Sequence, residues 1–424
     1  MSKGLAQGEQ RFRLSSLTLS VYLPTILFAI GQGAVIPVIP LFARELGSSV
    51  AGASLVVALR GAGQLIFDVP AGLAVSRWGD KGAMVAGTAL IGLVAIGAAF
   101  SPSPVVLGGL VLVMGGGWAF WQIARLAYVS EAVPIEQRGR ALSMVGGANR
   151  VGNFIGPVVG GYLGQHLGLE SAFAAQAVMG LAAAAMMFVC VREGSGSEDI
   201  TVHGLGSRLV ETVANNRGVF LKAGPPLIAL GLLRQARQVF LPLWGDHIGL
   251  GIAQIGLLTG ISFLVDAAIF YPAGSIMDHW GRKWAAVPCL VTLATGLLLL
   301  PLTRDFAGFL AVAAVTGVGN GFGSGIVMTL GADFSPDDRR GEFLGVWRLL
   351  SDARHRRRPG RHRRPHERRQ PRRRRRRQRR HRPRRGRLDA PLRARDAAPP
   401  PAGRGRRAGR ALARSRTRAR RGRR

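Results

Sequence analysis

Ten stretches of about twenty largely apolar residues follow one another along the chain, centred near Ile30, Ala62, Ile91, Val113, Phe154, Leu181, Leu230, Phe263, Ala294 and Thr316. Each is long enough to cross a hydrocarbon layer of about 30 Å as a helix, which excludes an ordinary soluble domain. The breaks between them are short except for one of about 30 residues between Arg192 and Lys222. It carries Gly194-Ser-Gly-Ser-Glu-Asp199 and reads as a flexible linker joining two halves. Cys190 and Cys289 both lie in apolar runs, which excludes a disulfide framework. No Cys/His cluster has the spacing of a zinc site. Lys3, Arg11 and Arg13 precede the first stretch, which is long enough to span and has no small-residue cleavage site after a short core.

The formal charge of +34 does not describe this membrane part. Between Arg354 and Arg424 lie 34 arginines, no lysine and three acids (Glu367, Asp389 and Asp396), a net +31; the residues before them hold 23 bases and 20 acids, a net +3. Within the apolar part, basic residues set the orientation. Alternate breaks hold Arg77, Lys81, Arg138, Arg140, Arg192, Arg208, Arg217, Lys222, Arg282, Lys283, Arg339 and Arg340, joined by the three N-terminal bases. The other breaks hold only Arg44 and Arg304. Fifteen against two predicts a multi-pass protein of the plasma (inner) membrane, with its N-terminus and central linker in the cytoplasm.

At an offset of 202 the chain aligns with itself. Pro70-Ala71-Gly72 falls on Pro272-Ala273-Gly274, and Trp78-Gly79 with Lys81 falls on Trp280-Gly281 with Lys283. Pro134 meets Pro336, and Arg138-Gly139 meets Arg340-Gly341, in the same register. The halves are parallel repeats, as in transporters made of two six-helix bundles. On these residues the chain resembles the major facilitator superfamily over about residues 14–352. The resemblance implies an all-α integral membrane fold of two six-helix bundles, of which ten helices precede the basic tail. Gly274, Asp278, Gly281, Arg282 and Lys283 fit the family signature between helices 8 and 9. The first copy (Gly72, Arg77, Gly79, Lys81) departs from it, with Ser76 where an acid is usual and Asp80 where a base is usual. In the family this loop is a charge latch that stabilises the outward-facing state, so the substitutions weaken that role in the first half. The plain alternative is a tight, positive turn.

The fifth stretch carries Gly152, Gly156, Pro157, Gly160 and Gly161. Glycines at i, i+4 and i+8 bare one helical face for close approach of a neighbour, and Pro157 bends the helix. This resembles the motif that marks proton-coupled antiporters; a generic packing seam is the alternative. The arginine often found in the family's fourth helix is missing, since Val111 stands there, and Arg125 lies further along the same stretch.

Charges at mid-bilayer cost at least about 2.5 kcal/mol, so those present should face water or a partner. They are Arg60 and Asp68 in the second stretch, Arg125 and Glu131 in the fourth, Arg150 in the fifth, Arg234 and Arg237 on one side of the seventh, and Asp266 in the eighth. Asp266 is the only carboxylate well inside a stretch; desolvation favours its proton, which makes it the first choice for proton coupling. Asp68 and Glu131 sit nearer the boundary, where they serve equally as structural partners of Arg60, Arg125 or Arg150. Trp118, Phe120 and Trp121 either line a substrate cavity or face lipid.

The tail has three readings. A +31 segment binds anionic lipid or nucleic acid through counterion release, and without aromatic residues or a known module such binding is non-specific. By composition it is disordered. The third reading is out-of-frame translation: arginine without lysine points to CGN codons, which one base along yield glycine, alanine, valine or acidic codons. The offset sets Arg354, Arg358 and Pro359 against Gly152, Gly156 and Pro157, and the shifted frame permits glycine, glycine and proline there. The expected organisation is a cytoplasmic N-terminus (1–13), a six-helix bundle (14–192), a linker (193–222), four helices and the start of an eleventh (223–353), and the arginine-rich tail (354–424) replacing helices 11 and 12.

The expected function is transport of a small molecule by alternating access, coupled to protons and directed outward, with a uniporter or symporter of the same fold as the alternative. A membrane-tethered polybasic protein acting through 354–424 is the alternative of another class. No enzyme is expected, because no phosphate loop, metal cluster or nucleophile–base pair is present. The proton gradient, and no cofactor, is the expected driving force. The expected partners are the substrate, protons and lipid, with no specific nucleic acid; the sequence does not fix the oligomeric state, and a monomer is compatible with it.

Overall fold

The computed structural model describes residues 17–191 and 215–335, and these are helical with no strand among them. The N-terminal 16 residues, the linker as far as residue 214, and residues 336–424 with the arginine-rich tail lie outside the described residues. A turn of π-helix (Thr18–Tyr22) leads into α1 (Leu23–Val35), which breaks at Ile36-Pro37 and resumes as α2 (Val38–Glu45). There follow α3 (Val50–Ala99), α4 (Pro104–Ala132), α5 (Ile135–Leu167), α6 (Glu170–Cys190), α7 (Arg217–His247), α8 (Ile252–His279), α9 (Lys283–Leu299), α10 (Phe306–Gly323) and α11 (Ile326–Phe334). All-helical architecture is what lipid demands, because a helix bonds its own backbone polar groups and leaves none to hydrocarbon.

Helix α3 has 50 residues, and a straight helix of that length would measure about 75 Å. It is two spans folded at Gly79, whose φ of 70° and ψ of 169° no helix contains. Gly281, its partner in the repeat, has φ 95° in the short break between α8 and α9. The repeat thus preserves a backbone geometry that favours glycine, at the same loop of each half. Helix starts at the other end are set by side-chain caps. Ser49, Ser103 and Asp305 accept from the backbone N–H groups of Gly52, Val106 and Gly308.

Seven helices among the described residues are long and apolar enough to cross a membrane, α3 counting once and α1 with α2 once. Helices α5 and α7 are not among them. They carry the arginines, Arg138, Arg140 and Arg150 on one and Arg217, Arg234 and Arg237 on the other. All ten apolar centres read from the sequence lie on helices.

The end of the molecule with the breaks at Gly79, Pro134 and Gly281 is called here the basic end, and the opposite one the far end. An apolar core at the far end joins the halves: Val35, Val38, Ile39 and Phe42 cluster with Phe173 and with Val239 and Ile255 of the second half. Toward the basic end each half has its own core, around Phe28, Met84 and Trp121 in the first and around Met277, Cys289 and Leu293 in the second. Among the described residues the halves are therefore sealed at the far end.

Helix α5 makes that seal with backbone. A Cβ on Gly156 would stand 2.5 Å from the Ile30 carbonyl oxygen, and one on Gly160 would overlap the Ala34 carbonyl, so this face lies against α1. A Cβ on Gly161 would stand 2.7 Å from the Ile252 carbonyl oxygen and 2.8 Å from the Gly256 Cα, so the next face lies against α8 of the other half. Gly260 closes on the Phe154 carbonyl in the same way, and Gln165 accepts from the Ala253 N–H at 2.9 Å. Small residues let two backbones approach where no apolar solvent effect drives helices together. Gly256→Val is expected to weaken the seal by roughly 1–3 kcal/mol, the usual penalty for overpacking. Alkylation of a cysteine introduced at the fully buried Val38 by a bulky polar maleimide should then accelerate about fivefold or more. An unchanged alkylation rate would show that the seal lies elsewhere.

Candidate functional site: a cavity between the halves

Arg234, Arg237 and Gln238 lie three and four residues apart on α7 and so share a face. Phe263 and Asp266 of α8 stand three apart, and Asn320 and Ser324 at the end of α10 stand four apart. With Arg150 of α5 and the backbone at Gly325, the side chains of Arg234, Arg237, Gln238, Phe263, Asn320 and Ser324 line an open cavity of about 290 Å³, and Asp266 lies directly behind Asn320 and Ser324. The helix is interrupted here: α10 stops at Gly323, Gly325 has φ 91°, and α11 begins at Ile326. An interrupted helix at membrane depth is tolerated where it is buried in protein or lines a watery cavity, and such breaks mark substrate and ion sites in transporters.

Asp266 is 9% exposed. Its two oxygens accept from Asn320 Nδ2 at 2.6 Å and from Ser324 Oγ at 3.1 Å. The Asn320 carbonyl oxygen in turn accepts from Arg234 Nε at 2.9 Å, so an amide relays between the guanidinium and the carboxylate. Arg237, 6% exposed, donates from Nη2 to Ser262 Oγ at 2.7 Å, and the Ser262 hydroxyl in turn donates to the Ala313 carbonyl of α10. Its guanidinium lies 5.0 Å from the Phe263 ring centre, and that of Arg150 lies 3.7 Å from the ring of Phe270 in the other half. Such cation–π contacts repay part of the cost of taking a guanidinium out of water.

The site residues read from the sequence divide into three groups. Arg150, Arg234 and Arg237 come together at the cavity, and Asp266 lies behind its wall, bonded to the lining residues Asn320 and Ser324. Arg60 and Arg125 do not: Arg60 donates to Gln32 and lies 5.7 Å over Trp118, and Arg125 lies 3.9 Å over Trp121. Trp121 is fully buried against Phe28 and Trp118, in the interior of the first half, so these tryptophans neither line this cavity nor face lipid alone. Phe120 points elsewhere, 6.3 Å from the Trp78 ring. Asp68 is half-buried and Glu131 is exposed, both away from the cavity wall. Asn320, Ser324, Ser262 and Gln32 were missed by sequence reading. The available signal was a polar side chain inside a stretch otherwise of glycine, alanine and aliphatic residues.

At the basic end, Arg282 bridges two acids, Asp278 at 3.1 Å and Asp333 at 2.9 Å, and also donates to the Met277 carbonyl. Hydrogen bonds from Asp333 first and Asp278 second push the guanidinium further toward its charged form. The repeat offset carries Arg282, Asp278 and Asp333 onto Asp80, Ser76 and Glu131. There the charge is inverted. Ser76 donates to its own turn at the Leu73 carbonyl, and Lys81 lies 5.3 Å over Phe188. Arg77 and Lys81 form no ion pair among the described residues. Asp80, buried at the turn beyond Gly79, has its carboxyl pushed up to about 6, by burial first and by the charge of Glu131 second. Among the described residues, a three-charge cluster is thus formed around Arg282 in the second half.

An acid that holds its proton more tightly when folded loses stability as pH rises. For Asp80 the loss runs from the unfolded carboxyl value of about 3.9 up to about 6 and is complete above. Asp80→Asn is expected to raise stability at pH 7.5 by about 1 kcal/mol once solvent screening is allowed for, and to flatten this part of the pH profile. Thermal unfolding at pH 5 and pH 7.5 checks it; equal shifts at both would remove Asp80 from the account.

Residues 21–233 and 227–352 match the family model described as Major Facilitator Superfamily. The chain belongs to the Major Facilitator Superfamily. Among curated relatives, it is 21% identical over 340 residues to an uncharacterized MFS-type transporter of Methanocaldococcus jannaschii, covering 79% of this chain and 87% of the relative. It is 25% identical over 293 residues to Multidrug resistance protein 2 of Bacillus subtilis, covering 68% and 72%. Of solved structures, that of the nucleoside transporter NupG superposes with a TM-score of 0.67 at 12% identity, covering 80% of this chain and 88% of the other, which shows a shared fold. As a member of this superfamily the chain is a membrane-spanning transporter, and the apolar helices, the repeat and the cavity between halves are the parts of one machine.

Proposed function

We propose that the protein moves a small molecule across the plasma membrane by alternating access, with Asp266 as the group that carries the coupled proton. The observation that carries this reading is the carboxylate itself. It lies directly behind the cavity wall, where the lining residues Asn320 and Ser324, both uncharged, donate to it, and no ion pair holds it among the described residues. The bias of basic residues puts the basic end in the cytoplasm. On that orientation the sealed far end faces outward and the cavity is reached from inside, the posture in which an exporter loads. The glycine-lined α5 and the relative named for multidrug resistance support outward, proton-exchanging transport of a small amphipathic compound.

A second reading, co-transport of proton and substrate, is favoured by one observation: three arginines line the cavity and one carboxylate, Asp266, lies just behind its wall. The two readings separate in proteoliposomes that enclose a pH-sensitive dye. Substrate entry that drains protons from the lumen marks exchange, and entry that acidifies it marks co-transport. A substrate flux that leaves lumenal pH untouched would overturn proton coupling altogether.

Residues 354–424 we read as out-of-frame translation of the last two helices. The family match stops at residue 352, one residue before arginine replaces apolar side chains. Resequencing the codons for residues 351–361 tests this, and unaltered bases would leave a genuine basic tail.

A further inference from the structure

The walls of the cavity carry unequal charge. Arg150, Arg234 and Arg237 converge on it from two helices in different halves, while no carboxylate lines it among the described residues and the nearby Asp266 lies behind Asn320 and Ser324. None of the three arginines forms an ion pair among the described residues. A guanidinium keeps its proton in a protein, and a buried charge without a counter-charge is costly. Phe270 and Phe263 offset part of that cost for Arg150 and Arg237, but rings do not neutralise them.

We infer that the cavity binds a compact organic anion, a carboxylate on an aromatic or apolar body, whose charge answers that of the three arginines. The assignment rests on the reading of this cavity as the transport site. Each guanidinium has five N–H donors in a planar fork that suits a carboxylate. Arg234 gives its Nε–H to Asn320 and Arg237 gives one Nη2–H to Ser262, which fixes both planes and leaves the remaining donors for a ligand. Phe263 offers the apolar surface between them. The start of α11 at Gly325 adds backbone N–H groups of the same electrostatic sign. A volume of about 290 Å³ has room for a one- or two-ring compound. A cationic amphipath would meet like charge on three sides.

Asp266 sets the sense of the coupling. Facing it are Arg150 from α5, Arg234 and Arg237 from α7 and the Cys289 thiol from α9. Protonation removes the one negative charge from this group, so a bound proton and a bound anion strengthen each other, as linkage requires. Partners that bind together travel together, so an anion at this site favours the second of the two transport readings, co-transport, and the lumenal-pH assay decides between them.

Benzoate, benzamide and benzamidinium share one shape and differ in charge, and their stabilisation of the purified full-length chain against thermal unfolding tests the inference. Benzoate is expected to stabilise most and benzamidinium least. Arg234→Gln and Arg237→Gln should weaken benzoate about tenfold or more, the loss typical of a charge-assisted bond. If the buried Arg237 variant does not fold, Arg150→Gln, at a half-exposed position, serves in its place. Asp266→Asn should tighten benzoate about threefold or more, a gain that general damage to the wall would not produce. Benzamidinium matching benzoate, or benzoate affinity unchanged in both Arg234→Gln and Arg150→Gln, would overturn the inference. Proton-coupled flux of a cationic substrate would overturn it too, while leaving the transport reading intact. Selective benzoate binding by a chain that shows no flux supports the anion site and counts only against transport.

Discussion

In the chain whose reading frame is restored after Ala353, Asp266→Asn is expected to uncouple transport from the proton gradient, while downhill exchange of substrate persists. The isosteric amide keeps the contacts of the side chain with Asn320 and Ser324 in shape but can no longer gain or lose a proton. Coupling between two ligands of one protein is commonly worth about 1–3 kcal/mol, or about 5–150-fold, and all of it should vanish with the carboxyl group. Accumulation driven by an imposed pH gradient should fall to the level of empty vesicles, and counterflow of labelled substrate should survive. Asp266→Glu retains the proton but extends it by one methylene past its two donors, so partial coupling is expected. The readout is the ratio of gradient-driven accumulation to counterflow, which a merely misfolded variant would not change selectively. Full coupling in Asp266→Asn would move the proton site to Asp68 or Glu131.

The other large effect comes from a single base. A gene whose frame is restored after the codon for Ala353 should give gradient-driven accumulation, and the gene as read should give none above background. The reason is the cost of arginine in hydrocarbon, about 2.5–3.5 kcal/mol for each one at the bilayer centre. Runs such as Arg372 to Arg377 therefore have no route into the membrane, and the helices meant to pack on the last two spans lose those partners. Expression of both forms in one strain, with flux and membrane yield measured side by side, checks this. Equal transport by both would make the basic tail a working part of the protein.

Much of the fold was legible because lipid constrains a chain twice, in length and in polarity. Ten apolar stretches, a repeat with glycine at 79 and 281, and a bias of basic residues are all written along one dimension. The depth of each intramembrane charge is written there as well, which is why Asp266, Arg150, Arg234 and Arg237 were found. What a linear reading lacks is the azimuth of each helix. Arg60 and Arg125 have similar depth to the cavity arginines, yet they turn into the first half onto Trp118 and Trp121. Asn320, Ser324 and Ser262 escaped because an uncharged polar side chain costs little in a helix, so its presence gives no alarm. The interruption at Gly325 was hidden for another reason, since one glycine among 59 carries no mark of its backbone angle.

The contact of Gly161 with Gly256 has a consequence for how such a chain tolerates inheritance. A surface made of backbone has no functional group to conserve and no rotamer to freeze, and yet it admits almost no replacement. A saturating library selected for transport should therefore show its bare glycines on α5 and α8 to be as intolerant as Asp266. Geneticists would find the deepest vulnerability of the protein at positions where chemists see nothing.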